Sequence, residues 1–173
     1  MTVVLNGLGC RLVETPLRFS VLADHAQVLL EDDDGGFHDF ADAWTPEAAQ
    51  RTRLAVVPGL VSVGTARDDE IALDVAFVPA APVLHAEFAE HVVEADLLIA
   101  SGRLGIHSSD DEPEAWYRVP VEPGRYRLRA TYSHRRPASE GIGDHLSYRL
   151  ELWPVADAAP TTVLKQGPAR WAG

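Results

Sequence analysis

The segment "LEDDDGGFHDFADAW", residues 30–44, places six acidic side chains and two glycines between an apolar run and a tryptophan. Carboxylates at such density do one of three things: they hold a hard cation, they act as acid and base on a substrate, or they present a negative surface to a basic partner. An EF-hand loop needs oxygen ligands at alternate positions, a glycine after the third and a late bidentate glutamate. Counted from Asp32 and Asp34, the third alternate position is Gly36 and the late glutamate position is Ala43, so the motif fails. A looser calcium cage from Asp32, Asp34 and Asp39 is a separate possibility, because calcium accepts irregular oxygen sets.

Other metal and cofactor chemistry lacks its spacing. His25, His38, His85, His91, His107, His134 and His145 form no HExxH, HxH or Cys/His pattern, so no metal ligands are assigned. "GLGCRL" has Leu12 where a dinucleotide fingerprint needs its last glycine, and no cofactor is expected. "GLVSVG" puts one residue too many around Ser62 for a nucleophile elbow, and Cys10 has no local partner. A hydrolase built on paired carboxylates would leave no spacing signature. It stands as an alternative, with no catalytic residue assigned.

Charge favours the third use of the acids. The net charge is −11, which disfavours direct contact with nucleic acid or anionic lipid. Residues 1–115 hold 21 acids and 6 Lys/Arg, a net of −15, whereas residues 116–173 hold 5 acids and 9 Lys/Arg, a net of +4. The expected contacts with a basic protein are Asp32, Asp33, Asp34, Asp39 and Asp42, with Asp110, Asp111 and Glu112 of "HSSDDEPEAW" as a second patch. In the alternative reading, Trp44, Trp116 and Tyr117 form an apolar platform beside these acids for a carbohydrate, or the acids take calcium.

The elements that position these residues read as strands. "LRFSVL" and "AQVLLED" flank "ADH", and "IALDVAFVP" alternates apolar residues at 71, 73, 75 and 77. "TPEAAQRTRLAVV" predicts one short helix, with Thr45 as N-cap and Pro46 at the first helical position. "PGLVSVG" marks a turn and a strand. Glu122-Pro123-Gly124-Arg125 suits a type II turn and predicts a hairpin from "WYRVP" into "RYRLRATYSH", with Pro120 demanding an edge or bulge. "HLSYRLELWP" adds a strand beside it, and "TTVLKQ" a final one. The expected fold is mainly β: an antiparallel β-sandwich with one short helix, a single domain with its core at about 17–154 and a C-terminal extension at 155–173.

The second arm of that hairpin aligns Arg125, Arg127 and Arg129 on one face. Three like charges in a row need acids nearby, so at least one arginine is expected to pair with an acid on an adjacent strand or loop, with Glu122, Glu151 and the 110–114 cluster as candidates; the alternative is an exposed anion-binding strip. "MTVVLNGLGCRLVETP" lacks the basic start and long apolar run of a secretory signal, and no stretch spans a bilayer, so a cytoplasmic, non-membrane protein is expected.

The order of features resembles the competence-protein J family of small bacterial β-sandwich proteins. The resemblance runs over roughly residues 17–154, through "FSVL", "WTPEA", "GLVSVG", "HVVEADLLIASGRLGI", "VPVEPGRYRL" and "YRLELWP", and includes Trp44, Gly102, Pro123, Gly124 and Tyr126. It implies a non-enzymatic inhibitor or immunity-like protein whose partner is a DNA nuclease or toxin. Acidic loops suit that role, because a nuclease cleft must be basic to attract polyphosphate.

Overall fold

The computed structural model describes residues 15–34, 38–134 and 146–168. Two sheets face each other. The six-stranded sheet contains β1 (Leu17–Leu22), β5 (Glu70–Phe77), β6 (His91–Ile99), β9 (Gly124–His134), β10 (Leu146–Pro154) and β11 (Thr162–Lys165). The five-stranded sheet contains β2 (Gln27–Asp32), β3 (Leu54–Val57), β4 (Leu60–Gly64), β7 (Arg103–His107) and β8 (Tyr117–Pro120). Their spatial orders are β1-β5-β10-β9-β6-β11 and β3-β4-β2-β7-β8.

Alternation explains the layers. Leu73 and Val75 of β5, Val93, Ala95 and Leu97 of β6, Leu128 of β9 and Leu150 of β10 fill the space between the sheets with Val28, Leu30, Leu104 and Ile106 from the opposite side. Period-two strands deliver one such row each, and burying these aliphatic side chains is the main stabilising term. The β-sandwich expected from the sequence is the observed architecture.

Several details differ. β10 pairs with β5 in parallel, so the larger sheet is mixed rather than antiparallel throughout. The Glu122–Gly124 turn does not close a hairpin: β8 pairs with β7 in one sheet, and β9 pairs with β6 and β10 in the other. Turn chemistry fixes a local reversal of the chain without fixing which strands pair. Pro120 does lie on an edge strand, as its missing N–H requires. The helix is confined to residues 46–52; Ala48 N–H donates to Thr45 Oγ1 at 3.1 Å, the expected cap, and Ala48–Thr52 widens to π geometry. The "LAVV" that extended its apolar pattern is β3 instead. Residues 162–165, expected in an extension, form the edge strand β11 against β6. Cys10 and His145 lie outside the described residues.

Candidate functional site

Every residue of β2 is buried, which one core face cannot explain. Val28 and Leu30 enter the core, so Gln27, Leu29 and Glu31 point out of the sandwich and something must cover them. The acidic segment does so. Its residues 38–44 lie along the outer face, and His38 Nδ1–H donates to Glu31 Oε1 at 2.7 Å. Six residues later Trp44 Nε1–H donates to Gln27 Oε1 at 2.6 Å, and the same oxygen accepts from Ser62 Oγ at 2.8 Å. Trp116 covers the other side of β2: its ring stacks on His107 at 3.7 Å and 4°, while His107 Nε2 meets Glu31 Oε2 at 3.0 Å. His107 Nδ1 also lies 2.8 Å from the Ser108 carbonyl, so both ring nitrogens have a polar partner.

Glycines make room for both indoles. A Cβ on Gly64 would lie 3.1 Å from the Trp44 ring, and one on Gly105 would lie 3.0 Å from the Trp116 ring. The side chains expected to form a ligand platform therefore sit in separate places. Trp44 and Trp116 come from different connections and pack over different strands, Trp44 on Gly64 of β4 and Trp116 on Gly105 of β7, and Trp116 Nε1–H donates to the Asp111 carbonyl at 3.1 Å. Tyr117 points to the opposite face, where its hydroxyl donates to the Ser20 carbonyl at 3.0 Å and its ring packs 5.0 Å from Phe19.

The eight acids expected as contacts divide into two groups. Asp32 is buried and closes the β6–β7 turn, its carboxylate accepting from Ala100 N–H and Ser101 N–H at 2.9 Å and from Ser101 Oγ at 2.5 Å. Asp33 is buried between Arg118 Nε at 2.8 Å and Arg103 Nε at 3.3 Å. Asp111 accepts from Ser108 N–H at 2.9 Å. These three hold the fold. Asp34, Asp39, Asp42, Asp110 and Glu112 are exposed. Because Leu29 faces His107 and Asp32 faces Leu104 in the β2–β7 register, Asp34 and the 108–112 loop lie at opposite ends of β2. Asp39 and Asp42 ride the segment between His38 and Trp44. The acids are thus spread along the outer layer of the smaller sheet, and with Asp32 engaged by the turn the calcium grouping Asp32, Asp34 and Asp39 is not assembled.

Among the described residues, one trio offers metal-ligand atoms within 4.8 Å of one another: Asp24, His25 and Asp110. The β1–β2 and β7–β8 connections bring it together, and it is solvent-exposed. Asp110, hydrogen-bonded to the Asp24 carboxyl and repelled by its charge, holds its own carboxyl above the usual range. Eighty-six residues separate the two aspartates in sequence, so no local spacing could have revealed the pair.

Two of the three arginines, Arg127 and Arg129, are buried, and Arg125 is half-buried. Arg127 reaches Asp96 at 2.8 Å and Glu94 at 3.2 Å, and also donates to the carbonyls of Ala159 and Pro160 at 3.1 and 2.9 Å. Arg129 reaches Glu94 at 2.8 Å and lies over the Trp153 ring. Arg125 is 3.8 Å from Asp96. The pairing acids come from the neighbouring strand β6, in register with Arg127 and Arg129. Among the acids expected instead, Glu151 pairs with Arg149 at 2.9 Å.

No helix among the described residues is long and apolar enough to cross a membrane. No protein-family model matches the chain, and no curated protein matches it. Two solved structures share its fold. One is the product described as crocagin biosynthetic gene J, with a TM-score of 0.53 and 18% identity over 81% of this chain and 96% of that one. The other is ComJ, inhibitor of the DNA degrading activity of NucA, from Bacillus subtilis, with a TM-score of 0.63 and 15% identity over 82% of this chain and 98% of that one; the resemblance read from the sequence is therefore present in the fold.

Proposed function

We propose that this chain is a non-enzymatic, inhibitor-like binding protein whose outer acidic layer engages a basic protein, a DNA nuclease or toxin. The observation that carries the reading is the asymmetric use of charge. Arg127 and Arg129 are buried against Glu94 and Asp96, whereas Asp34, Asp39, Asp42, Asp110 and Glu112 face solvent. The field presented to a partner is negative, which speeds encounter with a basic cleft and disfavours nucleic acid itself. The fold shared with a nuclease inhibitor supports the same reading.

The test is a DNA-degradation assay with nucleases encoded beside this gene, with and without the purified chain. Inhibition should weaken as salt rises from about 0.05 to 0.5 M, since screening shortens to a few ångströms over that range. Replacing Asp42 by Asn and Glu112 by Gln should slow association while leaving the melting curve unchanged. A chain that leaves every such nuclease at full activity at low salt would refute the reading.

A further inference from the structure

The connection between β5 and β6, residues 78–90, carries Val83 at 76% exposure, Phe88 at 77% and Leu84 at 38%. Three large apolar side chains within six residues are costly to leave in water, and they are not the tip of a loose loop. Lys165 of β11 turns inward and donates to the carbonyls of Ala86 and Ala89 at 2.8 and 2.5 Å. Arg129 donates to the Pro82 carbonyl at 2.8 Å, and Glu90 N–H donates to the Tyr132 carbonyl at 2.7 Å. Ala89 is buried, so the backbone is fixed while Val83 and Phe88 project from it.

The loop also shares an end of the sandwich with acids. His91 pairs with Tyr132, whose hydroxyl donates to the Arg53 carbonyl across the sheets. That carbonyl accepts from Gly64 N–H, and Gly64 pairs with Gln27 beside the Asp24 loop. The same end therefore carries Asp24, Asp110 and Glu112, together with the exposed Glu87 of the loop itself. Lys165, the cation beneath the loop, donates to carbonyls and sets its charge against Glu87, so Asp24, Asp110 and Glu112 are the acids left to meet a basic rim.

We infer that the Val83–Phe88 loop is a docking knob for a basic protein that offers an apolar socket rimmed by Lys or Arg. This rests on the inhibitor-like reading above and adds the apolar contact that reading lacks. Acidic residues bring a basic surface in, and a fixed aromatic side chain then supplies the desolvated centre that holds it, the usual division between rim and core of an interface.

The test compares the wild-type chain with Val83→Ser/Phe88→Ser and with Phe88→Lys, each checked for an unchanged melt. Two probes are used: a synthetic amphipathic Leu/Lys helix followed by fluorescence anisotropy, and the nuclease assay described above. The inference expects both variants to bind the peptide about tenfold or more weakly, and to inhibit any responsive nuclease correspondingly less. Peptide binding that depends on Phe88 with no nuclease inhibited would support the knob and sink the nuclease reading. Nuclease inhibition unchanged in both variants would overturn the knob and leave the nuclease reading standing. Peptide affinity independent of Phe88 would also overturn it, as would self-association that vanishes in Phe88→Lys, which would assign the surface to a second copy of the chain.

Discussion

Replacing Arg127 with Gln separates a buried ion network from a surface charge row. The Arg127 side chain is 8% exposed and donates to four oxygens: Glu94, Asp96 and the carbonyls of Ala159 and Pro160. Removing one partner of a buried pair costs about 3–5 kcal/mol, because the other charge is left unmatched. Partial compensation places this case at the low end. Glu94 keeps Arg129, and Asp96 keeps the Ala159 N–H at 2.8 Å and Arg125 at 3.8 Å. The expected loss is about 3 kcal/mol, which for a chain of this length lowers Tm by roughly 6–12 °C. Urea and thermal melts by circular dichroism read it directly. Arg125→Gln is the internal control, because its partly exposed pair should be worth about 1 kcal/mol or less. A double-mutant cycle of Arg127→Gln with Asp96→Asn should show coupling of about 1 kcal/mol or more. If Arg127→Gln melted within about 0.5 kcal/mol of wild type, alongside Arg125→Gln, the network would be a surface feature and the argument would fail.

Three further outcomes are expected. Asp32→Asn keeps one acceptor oxygen and turns amide hydrogens toward the other of the Ala100 and Ser101 N–H donors, and it should cost about 2 kcal/mol in urea unfolding, where a surface aspartate such as Asp42 changed to Asn should cost under about 0.5 kcal/mol. His91 is buried, accepts from Gly167 N–H at Nδ1 and donates from Nε2 to the Thr52 carbonyl, so burial and the nearby Arg53 hold its pKa below the ordinary value. Its neutral form is then favoured by folding; stability should be intact above about pH 6.5 and fall as the pH drops toward the folded-state pKa, and His91→Gln should flatten that slope in pH-dependent melts. Gly105→Ala pushes a methyl against the Trp116 ring, and it should quench or shift tryptophan fluorescence and cost about 1–2 kcal/mol in thermal melts; unchanged fluorescence would mean that the indole is not seated there.

Strands with one buried face announced themselves. Ile71, Leu73, Val75 and Phe77, or Leu146, Tyr148, Leu150 and Leu152, alternate because the sandwich has two layers, and Pro120 declared an edge because it lacks a donor. Long-range pairing was silent. The parallel β5–β10 contact, and the departure of β9 into the opposite sheet from β8, depend on partners far along the chain that a local turn signal does not encode. The acidic run concealed two roles for the same reason. Asp32 and Asp33 look like Asp34 in sequence, but the N–H groups of Ala100 and Ser101 and the guanidinium groups of Arg103 and Arg118 take the first two into the fold. The need for acids near the arginine row was legible from charge repulsion; that Glu94 and Asp96 supply them follows from the β6–β9 register alone.

The short strand β11 has a consequence for solubility. β6 is nine residues long, rich in Val, Leu and Ile, and without β11 it would form one margin of the larger sheet. A long apolar margin with unpaired backbone groups is a template on which other chains can add strands and polymerise. β11 is a poor template in its place: it has four residues, its register slips between Val163 and Lys165, and it carries a lysine. β11 thus works as a guard on the margin of the sheet, and a product lacking Thr162–Lys165 is expected to show fibre-like association by light scattering even with the rest of the core unaltered.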